Sequence, residues 1–132
     1  MTGIDTNVLA RYIVQDDVEQ TPTATAFVEH HCTVQAPGWI SCIVLSEFAW
    51  LLAKGYKYAK ADIVEVLKLL LSTKQLRVES EMQAWLALRD YQQGSADYPD
   101  YLIAYRNRQH GCTQTVTFDR KAAKHQLFEM LM

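Results

Sequence analysis

Thr2-Gly3-Ile4-Asp5-Thr6-Asn7-Val8-Leu9-Ala10-Arg11-Tyr12-Ile13-Val14 opens the chain. Thr2 to Asp5 reads as a very short strand, Thr6-Asn7 as a turn, and Val8 to Val14 as a helix. A strand that runs directly into a helix is the repeating unit of an α/β fold. The same alternation recurs downstream. Asp16-Asp17 form a polar break. Thr21 to His31 reads as a helix with Pro22 in its first turn, and Thr33 to Ala36 as a short strand closed by Pro37-Gly38.

Ser41 to Ala53 is the clearest helix, with Ile43, Val44, Phe48, Trp50, Leu51 and Leu52 on a wide apolar face and Lys54-Gly55 as its stop. Lys60 to Ser72 follows with apolar residues at helical spacing. Leu76 to Val78 reads as a strand, Glu81 to Gln92 as a helix ended by Gly94, and Asp97 to Gln109 as a helix ended by Gly111. Thr115 to Phe118 reads as a strand and Arg120 to Met130 as a last helix. This order predicts a single α/β domain over residues 1–132, with a central parallel sheet of four to five short strands flanked by helices. Right-handed crossovers place the loops after the strands along one sheet edge, where ligands bind in such folds.

The totals agree with one soluble domain. The chain has 132 residues, 49% hydrophobic and 21% charged, and that composition is ordinary for a globular protein. No apolar run approaches the ~20 residues of a membrane helix. The first residues lack the basic stretch of a signal peptide. Cys32, Cys42 and Cys112 are odd in number, widely spaced and without a CxxC pair, which fits a reducing cytoplasm better than a disulfide framework. The histidines lack HxxxH spacing, so a zinc site is disfavoured. Net charge is −2. Before residue 54, Arg11 is the only Lys or Arg, against six acids including Asp5 and Glu47; the other basic residues all follow. Overall charge therefore does not announce a nucleic-acid binder.

Four carboxylates stand out against this background. Asp5 ends the first strand, where an N-cap is the plain alternative. Glu47 has Ile43, Val44, Trp50 and Leu51 at helical spacing, so it is expected to be desolvated and in need of a partner. Asp100 opens a helix with Ile103 and Ala104 on its own face. Asp97 reads as that helix's N-cap, with Pro99 in the first turn and Asp100 at the third position as in a capping box. Asp119 ends the last strand and again has a capping alternative. Acids that converge repel one another unless a cation lies between them, and oxygen sets of this kind bind Mg²⁺ together with substrate phosphates. The set points to metal-assisted phosphodiester chemistry.

Four segments, Ile4-Asp5-Thr6-Asn7-Val8-Leu9, Leu45-Ser46-Glu47-Phe48, Asp97-Tyr98-Pro99-Asp100-Tyr101-Leu102-Ile103-Ala104 and Thr117-Phe118-Asp119, resemble the PIN domain. More narrowly they resemble the VapC toxins of bacterial type II toxin–antitoxin pairs, from Thr2 to about Lys124. The resemblance implies a Mg²⁺- or Mn²⁺-dependent ribonuclease with Asp5, Glu47, Asp100 and Asp119 as its catalytic and metal-binding acids. Asn7 and Thr117 match polar positions that orient the pocket, and Asp97 a supporting position. It further implies an RNA substrate, a cognate antitoxin protein and a homodimer. Arg106, Arg120 and Lys121 are candidates for positioning phosphates. Pro99 departs from the small residue usual at its position. Two rival readings remain. An aspartyl nucleophile of the haloacid-dehalogenase kind needs an acid where Asn7 stands. A non-catalytic regulatory module binding a protein or RNA partner would leave the acids as caps.

Overall fold

Strand β1 is only Thr2–Gly3, but backbone bonds extend its reach, from Thr2 N–H to the Pro37 carbonyl (3.1 Å) and from Ile4 N–H to the Trp39 carbonyl (2.9 Å). The computed structural model describes every residue from Met1 to Met132. The chain divides into two compact units, Met1–Glu79 and Ser80–Met132.

In the first unit β1 is followed by α1 (Thr6–Val14), α2 (Gln20–Ala26), β2 (Gly38–Ile40), α3 (Cys42–Trp50), α4 (Lys60–Ser72) and β3 (Leu76–Val78). One wide turn prolongs α2 over Phe27–His31, and another prolongs α3 over Leu51–Gly55. The strands lie in the order β1-β2-β3. All pairs are parallel, with Thr2 opposite Gly38 and Gly38 opposite Leu76. The core is built from Ile4, Leu9, Val28, Ile40, Leu45, Phe48, Leu52, Ile63, Leu67 and Leu70, each at most 4% exposed.

The strand expected at Thr33 to Ala36 is displaced. Those four residues are exposed and form a turn, closed by Thr33 N–H to the Ala36 carbonyl (3.1 Å) and Ala36 N–H to Thr33 Oγ1 (2.9 Å). The strand starts at Gly38, inside the Pro-Gly pair read as its stop. A Cβ there would lie 2.5 Å from Ile4 Cδ1 and 3.1 Å from Cys32 Sγ and Leu76 Cδ2. A side chain at this position would crowd those three buried neighbours, so the glycine meets a packing demand and is not a turn signal.

Helix α3 starts where Ser41 Oγ accepts the Val44 N–H (3.2 Å). The Glu79 carboxylate at the end of β3 accepts the Cys42 N–H (2.9 Å). Two of the helix's orphan amide donors are thereby satisfied, with negative charge at the positive end of the dipole. Its buried stripe is Leu45, Phe48, Ala49 and Leu52, while Ile43 and Trp50 are 74% and 55% exposed. The wide apolar face is therefore only half used.

The second unit holds α5 (Glu81–Gln93), α6 (Tyr98–Gln109), β4 (Thr115–Thr117) and β5 (Phe128–Met130). α5 and α6 pack through Ala84, Ala87, Leu88 and Tyr91 against Tyr98, Tyr101, Leu102 and Tyr105, all buried. Tyr98 donates its hydroxyl to the Ala84 carbonyl (3.0 Å). Gly111, with φ of 96°, ends α6 as its position suggested. β4 and β5 are parallel, in register Thr115 to Phe128.

The last helix expected over Arg120 to Met130 is replaced by one tight turn at Ala122–Lys124 and the strand β5. Long-range pairing overrides local helix preference there: Thr115 N–H bonds the Leu127 carbonyl (2.9 Å) and Leu131 N–H the Thr117 carbonyl (2.8 Å). The α/β class and the parallel pairing stand as expected. The strands, however, number five in a three-stranded and a two-stranded sheet, not in one sheet of four to five.

Candidate functional site

In the first unit, Asp5 is exposed at the N-cap of α1, with Oδ1 accepting the Thr6 N–H (2.9 Å). That hydrogen bond engages one carboxylate oxygen of an exposed side chain and leaves the second for a ligand. Capping and ligation are thus compatible roles. Thr6 is the buried polar residue of the chain, at 9% exposure, and its hydroxyl donates to Glu47 Oε1 (3.2 Å). This bond ties the start of α1 to the middle of α3 and brings Glu47 to the end of β1.

Glu47 itself is exposed. The expectation of a desolvated carboxylate fails because Ile43 and Trp50, counted as its apolar surroundings, face solvent with it. Asn7 is also exposed and borders an apolar groove of about 540 Å³ that includes Ile4, Val8, Ala24 and Phe27. Thr6 escaped the sequence reading, which took it for a turn residue; its only signal was a hydroxyl beside Asp5.

In the second unit, Asp97 and Asp100 form the capping box read from the sequence. The Asp97 carboxylate accepts the Asp100 N–H, and Asp100 Oδ2 accepts the Asp97 N–H (3.3 Å). Asp100 is half-buried. Burial pushes its pKa upward; the bond from the Asp97 amide opposes this, and the charges of Asp119 and Asp97 add to the rise. Asp119 is exposed, and its Oδ1 accepts the amides of Lys121 (2.8 Å) and Ala122 (3.4 Å). Thr117 Oγ1 accepts the Asp119 N–H (3.0 Å), which holds the acid at the end of β4. Asp100 thus feels the charges of both Asp97 and Asp119, and Thr117 is bonded to the Asp119 backbone.

The three basic candidates fare differently. Arg106 is committed: its guanidinium bonds Ser80 Oγ (2.9 Å) and Gln109 Oε1 (2.6 Å). It sits six residues beyond Asp100, less than two turns and about 9 Å along the helix axis at ~1.5 Å per residue. Arg120 and Lys121 are exposed.

Each unit thus carries two of the four acids. Within neither does a cage of three or more His, Cys, Asp or Glu side chains exist. The donors are all oxygens, and burial together with like charges raises the pKa of Asp100. That chemistry fits a hard divalent cation bound with waters and substrate oxygens, and not a soft metal.

The sequence is matched by the PIN-domain family model over residues 4–126. The chain belongs to the PIN-domain family. It is 25% identical over 124 residues to a protein of Aquifex aeolicus (strain VF5) named VapC ribonuclease, covering 94% of this chain and 91% of that one. No solved structure matches the chain. The PIN match spans both compact units and includes Asp5, Glu47, Asp97, Asp100, Thr117 and Asp119.

Proposed function

We propose that the protein is a ribonuclease of the VapC kind, the toxin of a toxin–antitoxin pair, whose two compact units make one PIN domain. In this reading Asp5, Glu47, Asp100 and Asp119 together hold Mg²⁺ or Mn²⁺. The observation that carries it is the PIN match over residues 4–126, which includes all four acids, together with a half-buried Asp100 beside Asp97 and Asp119, where burial and two like charges oppose ionisation. Such an arrangement costs stability in the empty fold and is relieved by a cation.

When bound, a divalent ion would lower the pKa of a water and offset charge on the scissile phosphate. The residues of the chain supply the rest. Asp5 is held by the Thr6 amide and Glu47 by the Thr6 hydroxyl. Thr117 fixes the backbone that presents Asp119. Asp97 keeps Asp100 in place through the capping box. Each carboxylate is therefore preoriented by a bond to one of its own oxygens, or to its backbone, with an oxygen left for the ion. Preorganisation of this kind contributes to rate because no reorientation is needed in the transition state. Asn7 is read as a second polar group of the pocket.

The partners in this reading are an RNA strand, a cognate antitoxin and a second copy of the chain, and the compartment is the cytoplasm. No helix is long and apolar enough to cross a membrane, and no disulfide joins the three cysteines. The test is cleavage of RNA by the purified protein with Mg²⁺ or Mn²⁺. EDTA should abolish it, as should Asp5→Asn in a protein that still folds. Undiminished cleavage in EDTA overturns the metal role. In cells, the chain alone should arrest growth, the antitoxin should relieve the arrest, and Glu47→Gln should not arrest.

A further inference from the structure

The second unit contains a polar cluster that the acids do not use. His125 Nε2 lies 2.7 Å from Asp90 Oδ2, and the Tyr105 hydroxyl donates to the same oxygen. Arg89 Nε donates to Asp90 Oδ1 (3.0 Å). The Leu127 N–H donates to His125 Nδ1 (3.1 Å), so the proton of the neutral ring is on Nε2 and faces Asp90. Both oxygens of Asp90 and both nitrogens of His125 are engaged. The cluster is a fixed floor, and Arg89, paired with its acid, offsets the negative charge there.

Above this floor opens a cleft of about 550 Å³, whose lining includes Gln93, Ser95, Lys121, Lys124 and Gln126. Both lysines are exposed, and so are Gln93, Ser95 and Gln126. The available groups are two ammonium heads, two amides and a hydroxyl, all able to donate. With the Asp90 carboxylate paired to Arg89 and bonded by Tyr105 and His125, the two lysines leave the cleft matched to an anion. It does not suit a nucleobase: its aromatic, Tyr101, is 2% exposed and its hydroxyl accepts the Ala96 N–H (3.2 Å), so no stacking face is offered. Nor does it hold the exposed apolar anchor that a protein hot spot requires. The turn that carries Lys121 and Lys124 also carries Asp119, whose carboxylate caps it through the Lys121 and Ala122 amides. A group held by Lys121 and Lys124 therefore lies on the same turn whose amides donate to Asp119.

We propose that this cleft seats a phosphodiester of the RNA strand adjacent to the one that is cleaved, gripped by Lys121 and Lys124. The inference rests on the ribonuclease reading above and adds to it a backbone-reading, sequence-independent subsite. Asp90 and His125 are positioning residues: they anchor the segment that follows Lys124 to α5.

The test is binding of a fluorescent single-stranded RNA in EDTA, followed by anisotropy across a salt series. Three proteins are compared: wild type, Lys121→Gln/Lys124→Gln, and a control, Lys54→Gln/Lys57→Gln, whose exposed lysines lie in the first unit. Loss of two phosphate contacts should flatten the slope of log affinity against log salt by about 1.4, at about 0.7 per contact for single strands. Affinity should fall about ten-fold near 0.1 M salt, alike for U-rich and A-rich strands. Lys124→Gln alone should give about half the change in slope. All the variants should melt with wild type. An unchanged slope in the cleft variant, or an equal loss in the control, overturns the proposal. So does unchanged RNA binding combined with stabilisation of wild type alone by inorganic phosphate, which would assign the cleft to a free anion. Failure of the ribonuclease reading looks different: wild type binds RNA through the cleft, yet does not cleave it when Mn²⁺ is supplied.

Discussion

Replacing Asp100 by Asn should stabilise the metal-free protein and destabilise it, relative to wild type, once Mn²⁺ is added. The amide oxygen of Asn can still accept the Asp97 N–H, so the capping box survives in part. What disappears is a half-buried negative charge facing Asp119 and Asp97, the groups that with burial push the Asp100 pKa up. Because solvent reaches the site, each like-charge contact is worth only about 0.2–0.5 kcal/mol. Relief of two gives about 0.5–1 kcal/mol, a rise in Tm of roughly 2–5 °C for a domain of this size. Wild type gains from a cation by mass action, about 1.4 kcal/mol at ten times its dissociation constant, or roughly 5 °C.

The order of the two melting curves should therefore reverse between EDTA and millimolar Mn²⁺, followed by differential scanning fluorimetry. pH supplies a second axis. A carboxyl whose folded pKa lies above its unfolded value opposes folding at pH above both and has no effect below the unfolded value. The advantage of Asp100→Asn in EDTA should therefore be full at neutral pH and vanish as pH falls below the ordinary carboxylate range. If Asp100→Asn is the less stable protein in EDTA at pH 7, or responds to Mn²⁺ as wild type does, the reasoning about this site is wrong.

Three further outcomes are expected. Thr6→Val keeps the shape but removes the donor to Glu47 Oε1; it should cost about 0.5–1.5 kcal/mol in a urea titration and lower Mn²⁺-dependent cleavage, and unaltered cleavage would remove Thr6 from the site. Gly94→Ala places a methyl group onto the Tyr101 hydroxyl; overpacking of about 1–3 kcal/mol should lower Tm by roughly 5–10 °C, and an unchanged Tm would show that Tyr101 can retreat at no cost. Burial works to raise the Asp90 pKa, but bonds from Tyr105, His125 and Arg89 and the charge of Arg89 outweigh it and hold it low. Its stabilising effect is thus present above the unfolded carboxylate pKa and lost as pH falls through the depressed folded value; in acid titrations Asp90→Asn should show a shallower loss of stability than wild type.

Much of the site was readable because its signals are local. Asp97, Pro99 and Asp100 lie within four residues, and a capping box needs nothing beyond one helical turn. The caps at Asp5 and Asp119 are equally local, as are the ends of α4, β3 and α6. The failures share a different cause. Gly38 looks like a strand stop until the Ile4 and Leu76 side chains close over it. Phe128–Met130 looks helical until β4 pairs with it. Glu47 looks buried until the fold turns Ile43 and Trp50 to solvent.

By itself, then, the sequence determined the α/β class, the capped acids and their order along the chain, since periodicity and capping act over a few residues. Tertiary structure alone decided which face of α3 is buried, that Thr6 holds Glu47 across 41 residues, and that Asp90 meets His125 across 35. Those outcomes depend on how separate elements pack and pair, and a local spacing rule holds no information about a neighbour brought in from far along the chain.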